Sequence, residues 1–406
     1  MGVPKNAARN VGATTARICP PHVLTTVSTE STSFSMRATR DIAYDVIQLT
    51  SHVFDVNQPA LAALVGRRPL LIAFDEAVYT LFGSTIRAYA REHLNVFTTI
   101  TLKAGESHKH FDQVERVCEA AIAAGLPRNG VMIGVGGGVV LDIVGMAAAL
   151  YRRGVAFVRI PTTLLGMIDV AVGIKQAVNF GNRKNLLGTF YPPLGVVNDP
   201  TFLRTATRRD LACGVAEIIK IGMVADRALF CLLEQYLIQL MESRFQKPAN
   251  VAREILERSQ FAMMRELAPN LYEDDLKRAV DFGHSFSPTF ELRSDYRLAH
   301  GEAVAIDMLL STAIAAHRGI CDPSLFDRLI ALYNSANLAI SDEICTLQLL
   351  TEALVDVKGH RGGNLNFPIP DDIGTCTFLQ HVDANDCRVA LNAVNLADSD
   401  FLAASS

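Results

Sequence analysis

The chain has no C-x-x-C pair, no basic excess and no apolar run of the roughly 18 residues that a bilayer-spanning helix needs. Each absence removes a class of function. The eight cysteines (Cys19, Cys118, Cys213, Cys231, Cys321, Cys345, Cys376, Cys387) are scattered along 406 residues, a chain too large to need covalent staples. That excludes a zinc-finger or disulfide scaffold and points to free thiols in a reducing cytoplasm. Lys and Arg number 38 against 42 Asp and Glu, a net charge of -4, so no broad positive field exists for nucleic acid or an anionic membrane. Any anionic ligand must be met by locally placed cations. No acidic residue precedes Glu30, and that Arg-, Ser- and Thr-bearing stretch has no apolar leader core; residues 1–40 read as a disordered tail.

What is present is hydrophobic: half of the residues, enough for two domains with their own cores. "DIAYDVIQLT" reads as a strand, and "PLLIAFDEAV" as a buried strand ending at Asp75. "FDQVERVCEAAIAAGLPRN" has helical spacing and stops at Gly125 with Pro127 just beyond. "GVMIGVGGGVVLDIVGMAAALYRRG" runs from an apolar strand through glycines into an apolar helix, and "VAFVRIP" and "LGVVNDP" are two further buried strands. Strands alternating with helices imply a parallel α/β sheet. Beyond Asp199-Pro200 five segments show only the helical period, from "DLACGVAEIIKIGMVAD" to "PSLFDRLIALYNSANL", and no strand of comparable strength intervenes. The expected fold is an α/β nucleotide-binding domain over residues 41–200 and an all-α domain over residues 201–406, with a ligand crevice between them.

Three stretches carry chemistry. Gly134 to Gly138, leaving a strand for a helix, offer backbone amides to a pyrophosphate, although close packing asks for glycine at such turns as well. Residues 161–188 set Asp169, Lys175, Lys184 and Asn185 into a sequence otherwise fit for burial, where charges must be paired with each other or with a ligand such as a phosphate ester. Glu217 and Lys220 share a helix face in "GVAEIIKIG", while His284 and His300 lie beside glycines in "DFGHSFSPTFELRSDYRLAHGE". One Glu and two His are a catalytic zinc composition, but spacing alone does not bring them together. The D-F-G triplet at Asp281–Gly283 has no kinase catalytic loop upstream.

Taken together, "GESHK", "GVGGGVVLDIVG", "PTTLLGMIDVAVGIKQAVNFGNRKNLLGTFYPP", "GVAEIIKIG", "DFGHSF" and "LAHGEAVAIDM" resemble the sugar phosphate cyclase family, typified by dehydroquinate synthase. The resemblance implies a dehydroquinate synthase-like fold, NAD, zinc or cobalt, a small sugar phosphate as substrate, and a homodimer. Carried over residue by residue, it makes Glu217, His284 and His300 the metal ligands. It sets NAD against Asp75, Glu106, Lys109, Gly136, Gly137, Asp142, Thr162 and Thr163. Asp169, Lys175, Lys184, Asn185 and Lys220 would line the substrate pocket with the late Lys358, and Arg153 would reach the phosphate from a partner subunit.

Departures from dehydroquinate synthase narrow the expectation. Pro288 stands where that enzyme has a second His, and Asp281 where it has Asn; its two carboxylate-holding cations fall on Met263 and Lys277. One cation lost and one anion gained make a pocket poor for a carboxylate. Leu267, Asp281 and His360 resemble the pattern of the family's 2-epi-5-epi-valiolone synthases, which cyclise sedoheptulose 7-phosphate by transient oxidation, β-elimination, reduction and aldol closure. The rivals are a cyclase for a carboxylated heptulosonate, one forming deoxygadusol, a polyol dehydrogenase of the same fold, and an inactive NAD-binding scaffold, which the presence of every expected metal ligand disfavours.

Overall fold

The computed structural model describes residues 26–30, 33–37, 41–95, 97–181 and 183–405. Within the expected tail, β1 (Thr26–Glu30) and β2 (Ser33–Arg37) pair antiparallel, so this part carries strands where a structureless segment was expected; the rest of residues 1–40 lies outside the described residues. From Tyr44 onward the chain is a second compact unit.

That unit begins with β3 (Asp45–Gln48), α1 (Ala60–Val65), β4 (Leu70–Asp75), α2 (Glu76–His93), β5 (Phe97–Leu102) and α3 (Phe111–Ala123). There follow β6 (Val131–Gly136), α4 (Gly138–Leu150), β7 (Ala156–Pro161), β8 (Lys175–Phe180), β9 (Arg183–Phe190) and β10 (Gly195–Asn198). Six of these strands form one parallel sheet in the order β3-β10-β7-β6-β4-β5. Strands β4 and β6 are buried at every position, which is why they read as unbroken apolar runs. Alternate side chains serve two cores: Leu70, Ile72 and Phe74 join the large core shared with the helical half, while Leu71 and Ala73 join a smaller one under α3 and α4. The cation-rich middle, unassigned from sequence, forms a π-helical turn (Gly166–Val170) and the antiparallel β8–β9 hairpin.

The second half is helical: α5 (Arg208–Val224), α6 (Arg227–Glu242), α7 (Ala249–Leu267), α8 (Ser287–Arg293), α9 (His300–His317), α10 (Ser324–Ala336) and α11 (Leu347–His360). A hairpin of β11 (Phe367–Asp372) and β12 (Thr375–Leu379) then precedes α12 (Ala384–Ser405), so the second half is not purely helical. Pro368 and Pro370 in β11 hid this strand, because proline removes ladder donors and weakens the sequence signal. Helix α9 has no polar stripe, and both α5 and α9 bury most of their residues.

Candidate active site

Strand order puts one site on the sheet. From β4 the chain steps to β5 on one side and to β6 on the other, so the direction reverses between β4 and β6. A crevice at such a reversal, outside the carboxyl ends of the strands, is where open α/β sheets take nucleotides. The ends that meet there are Asp75 and Gly136-Gly137. A Cβ on Gly136 would stand 2.8 Å from Val140 Cβ, so glycine is required for the turn into α4. Asp75 accepts from Ala77 N at 2.8 Å and so caps α2, while burial pushes its carboxyl upward. Thr162 N donates to Gly136 O, and Thr163 Oγ1 accepts from Gly166 N at 3.1 Å.

A polar network leads inward from this crevice. Lys109 Nζ meets Asp142 Oδ2 at 2.7 Å and donates to Asn185 Oδ1 at 2.7 Å. Asn179, which sequence reasoning missed, donates to Glu106 Oε1 at 2.9 Å and accepts from Asn185 N. The cofactor-type residues Glu106, Lys109 and Asp142 are thereby tied to the substrate-type residue Asn185.

The metal-type cluster forms where α5 meets α9. A Cβ on Gly301 would lie 2.3 Å from Cys213 Cα, so only glycine permits this approach. It brings His300 Nε2 to 3.2 Å from Glu217 Oε1, with His284 Nε2 at 3.8 Å. The three potential ligand atoms lie within 4.8 Å of one another. Both imidazoles are aimed from behind: His284 Nδ1–H donates to Phe282 O at 3.2 Å, and His300 Nδ1–H to Glu291 Oε1 at 2.9 Å. A carbonyl or carboxylate on Nδ1 leaves Nε2 to face the centre, the arrangement of metal-ligating histidines. Glu217 is fully buried and neither of its oxygens accepts a well-aligned hydrogen bond, although Lys220 pairs with it. A buried carboxylate with hydrogen-bonding capacity to spare beside two oriented imidazoles fits a divalent cation.

The charges around this cluster are shifted accordingly. Burial depresses His284 to about 3, with the Lys220 ammonium adding to the effect. Burial acts on His300 in the same sense, but Glu291 and Glu217 outweigh it and raise His300 to about 9. Glu291 is held down at about 2 against burial by His300 and Lys184, with which it forms an ion pair. Burial pushes Asp169 up, opposed by Lys220.

Residues 99–213 match the model of the 3-dehydroquinate synthase N-terminal domain, and residues 214–359 that of the C-terminal domain. The chain belongs to the dehydroquinate synthase family. It is 40% identical over 356 residues to a 2-epi-5-epi-valiolone synthase of Streptomyces glaucescens, spanning 86% of this chain and 90% of that one. A 3-dehydroquinate synthase of Synechococcus is 34% identical over 327 residues, 80% of this chain and 88% of that one. Among solved structures, the 2-epi-5-epi-valiolone synthase of Streptomyces hygroscopicus subsp. jinggangensis with NAD+ and Zn2+ bound superimposes with a TM-score of 0.85. That comparison has 40% identity and covers 89% of this chain and 99% of that one.

Several residues singled out as members of a dehydroquinate synthase-family site lie away from the cluster. Arg153 is exposed at the far end of α4, whose 13 residues put it roughly 20 Å from the glycine turn. Lys358 and His360 are exposed on the last turn of α11, whereas the adjacent Arg361 is buried and reaches Asp281 at 3.7 Å. Lys277 sits over the Phe378 ring, and it is Arg278 that turns inward to pair with Asp281. Met263 is core, Leu267 lies beside Gly173, and Pro288 occupies the first turn of α8, where a missing N–H costs nothing. Sequence reasoning also missed Arg159. This fully buried guanidinium on β7 donates to the carbonyls of Val170, Gly173 and Lys175 and fixes the segment that presents Asp169 and Lys175.

Proposed function

We propose that this chain is a metal- and NAD-dependent sugar phosphate cyclase that converts sedoheptulose 7-phosphate to 2-epi-5-epi-valiolone with release of phosphate. The observation that carries this reading is Glu291, one buried carboxylate joining the metal-type imidazole of His300 to the phosphate-type cation Lys184. The hydroxyl-holding and phosphate-holding ends of a substrate thus belong to one cluster. The 40% identity to synthases of this activity supports the choice within the family.

Glu217, His284 and His300 would hold zinc, or cobalt, and Asp75 with Gly136, Gly137, Thr162 and Thr163 would hold the dinucleotide. When bound, the metal acidifies a substrate hydroxyl and NAD+ supplies reversible hydride transfer. Lys175, Lys184 and Asn185 hold the phosphate, and Lys220 and Asp169 face the hydroxyls beside Glu217. With Pro288 in place of a protein base, an oxygen of the departing phosphate takes the proton released in β-elimination. Asp281 meets the hydroxymethyl ketone end; His360 and Lys358 join it by an inward turn at the end of α11. Arg153 serves the site of a second copy in a homodimer. Aminocyclitol biosynthesis in the cytoplasm suits this chemistry and the seven described cysteines, all free. Among the described residues no helix is long and apolar enough to cross a membrane.

The test supplies sedoheptulose 7-phosphate, substoichiometric NAD+ and zinc, and follows phosphate, NADH and the product by NMR. Phosphate release without accumulating NADH, and a cyclic C7 ketone, are expected. Turnover of a carboxylated heptulosonate instead would return the chain to dehydroquinate synthesis, and accumulating NADH would make it a polyol dehydrogenase.

A further inference from the structure

Between α7 and α8 the chain makes a compact loop. Asn270 closes it by donating from Nδ2 to Asp275 O at 2.6 Å and accepting from Asp275 N at 3.1 Å. Glu273 N donates to Asn270 O, and Glu273 takes a φ of 59°, a left-handed conformation that a residue with a Cβ adopts only under constraint. Next to it Tyr272 packs on Phe190, the residue that pairs with Lys175 across the β8–β9 hairpin, with ring centroids 5.5 Å apart. The loop therefore delivers the Glu273 carboxylate to the mouth of the site, where it meets Lys175 Nζ at 2.6 Å and pairs with Arg278.

These contacts extend into a chain of alternating charge. Arg278 pairs with both Glu273 and Asp281, and Arg361 also approaches Asp281, at 3.7 Å. From the sequence, a pocket poor for carboxylates was expected because one cation is lost at Met263 and an anion is gained at Asp281. The structure shows a different arrangement. Cations are present in Arg278 and Arg361, and a guanidinium is the side chain best shaped for a carboxylate. Arg278 is closed because the protein's own carboxylates already occupy its donors.

We propose that Glu273 is a specificity-determining residue: by occupying Arg278 it denies that guanidinium to a substrate carboxylate, so that a substrate with an uncharged ketone end is accepted. The proposal rests on the cyclase reading for the substrate's chemistry, but it concerns ligand affinity and is testable whether or not sedoheptulose 7-phosphate turns over. Asp281 shares the task. Glu273 is the more separable partner, because it sits on an outer loop and its carboxylate contacts only Lys175 and Arg278 among the described residues.

The experiment measures binding by titration calorimetry to the full chain loaded with zinc and NADH, the reduced cofactor barring the opening oxidation and hence turnover. Its probes are sedoheptulose 7-phosphate, the carboxylated 3-deoxyheptulosonate 7-phosphate, and inorganic phosphate. Because removing Glu273 also frees Lys175, both sugar phosphates can tighten together, and the readout is the ratio of their affinities. For Glu273→Gln that ratio is expected to move toward the carboxylated ligand by about tenfold or more, the worth of one charge-assisted bidentate contact. Adding Arg278→Met should abolish the gain, and Glu273→Asp should retain most of the exclusion. A ratio unchanged within about twofold overturns the proposal. So does equal tightening of both sugar phosphates and of inorganic phosphate, which would make Glu273 a guard of Lys175 alone. A wild type that binds both sugar phosphates but turns over neither would sink the cyclase reading and leave the Glu273 test standing.

Discussion

Replacing Glu291 by Gln keeps the shape of the side chain and removes its charge at a position only 2% exposed. The carboxylate now satisfies two donors, His300 Nδ1–H at 2.9 Å and the Lys184 ammonium. An amide has one oxygen to offer, so in the variant one donor must face the NH2 group. If His300 loses its acceptor, nothing selects the tautomer that leaves Nε2 toward Glu217. If Lys184 loses it, a partly buried ammonium stands unpaired 3.5 Å from the imidazole Nδ1. Loss of such a supporting carboxylate costs about 10- to 100-fold in metal affinity, or roughly 1.4 to 2.7 kcal/mol. The assay is zinc titration of metal-free protein against a chromophoric chelator, with circular dichroism to establish that the variant is folded. Glu291→Asp, a shorter carboxylate, should fall between wild type and Gln. A folded Glu291→Gln variant within about twofold of the wild-type zinc affinity would refute the role given to this residue.

Gly301→Ala would drive a Cβ into the Cys213 backbone, with its oxygen at 2.4 Å, and neither helix can yield side-chain space there. A loss of about 1 to 3 kcal/mol in urea unfolding is expected, together with weaker zinc binding as His300 moves from Glu217. Lys109→Met should cost roughly 3 to 5 kcal/mol by stranding buried Asp142, and Lys109→Met/Asp142→Asn should recover part of it. In metal-free protein the Glu291–His300 pair makes stability depend on pH at both ends. Glu291 is lowered from 4.5 to about 2, so its contribution is present above 4.5 and lost as pH falls through about 2. His300 is raised from 6.5 to about 9, so its contribution is present below 6.5 and lost as pH rises through about 9. Urea midpoints should therefore fall on both sides of that plateau, and Glu291→Gln should flatten both limbs.

The local code determined much of this protein. Strands β4 and β6 were legible because burial on both faces leaves uninterrupted apolar runs, and the turn at Gly136 because a strand entering a helix at close range needs glycine. The fold class followed from those elements, whereas β11 escaped because its prolines weaken the strand signal. Glu217, His284 and His300 were candidates by residue type and became one ligand set only through resemblance, since periodicity orients residues within one element and says nothing of two elements meeting. Their convergence was decided by the crossing of α5 and α9 at Gly301. The same holds for the charges. Glu273, Arg278, Glu291 and Arg361 look in the sequence like ordinary surface residues. Only the tertiary structure decides which of them cancel, because an ion pair forms between side chains brought together from separate helices and loops, and its strength depends on how much water the packing leaves around it.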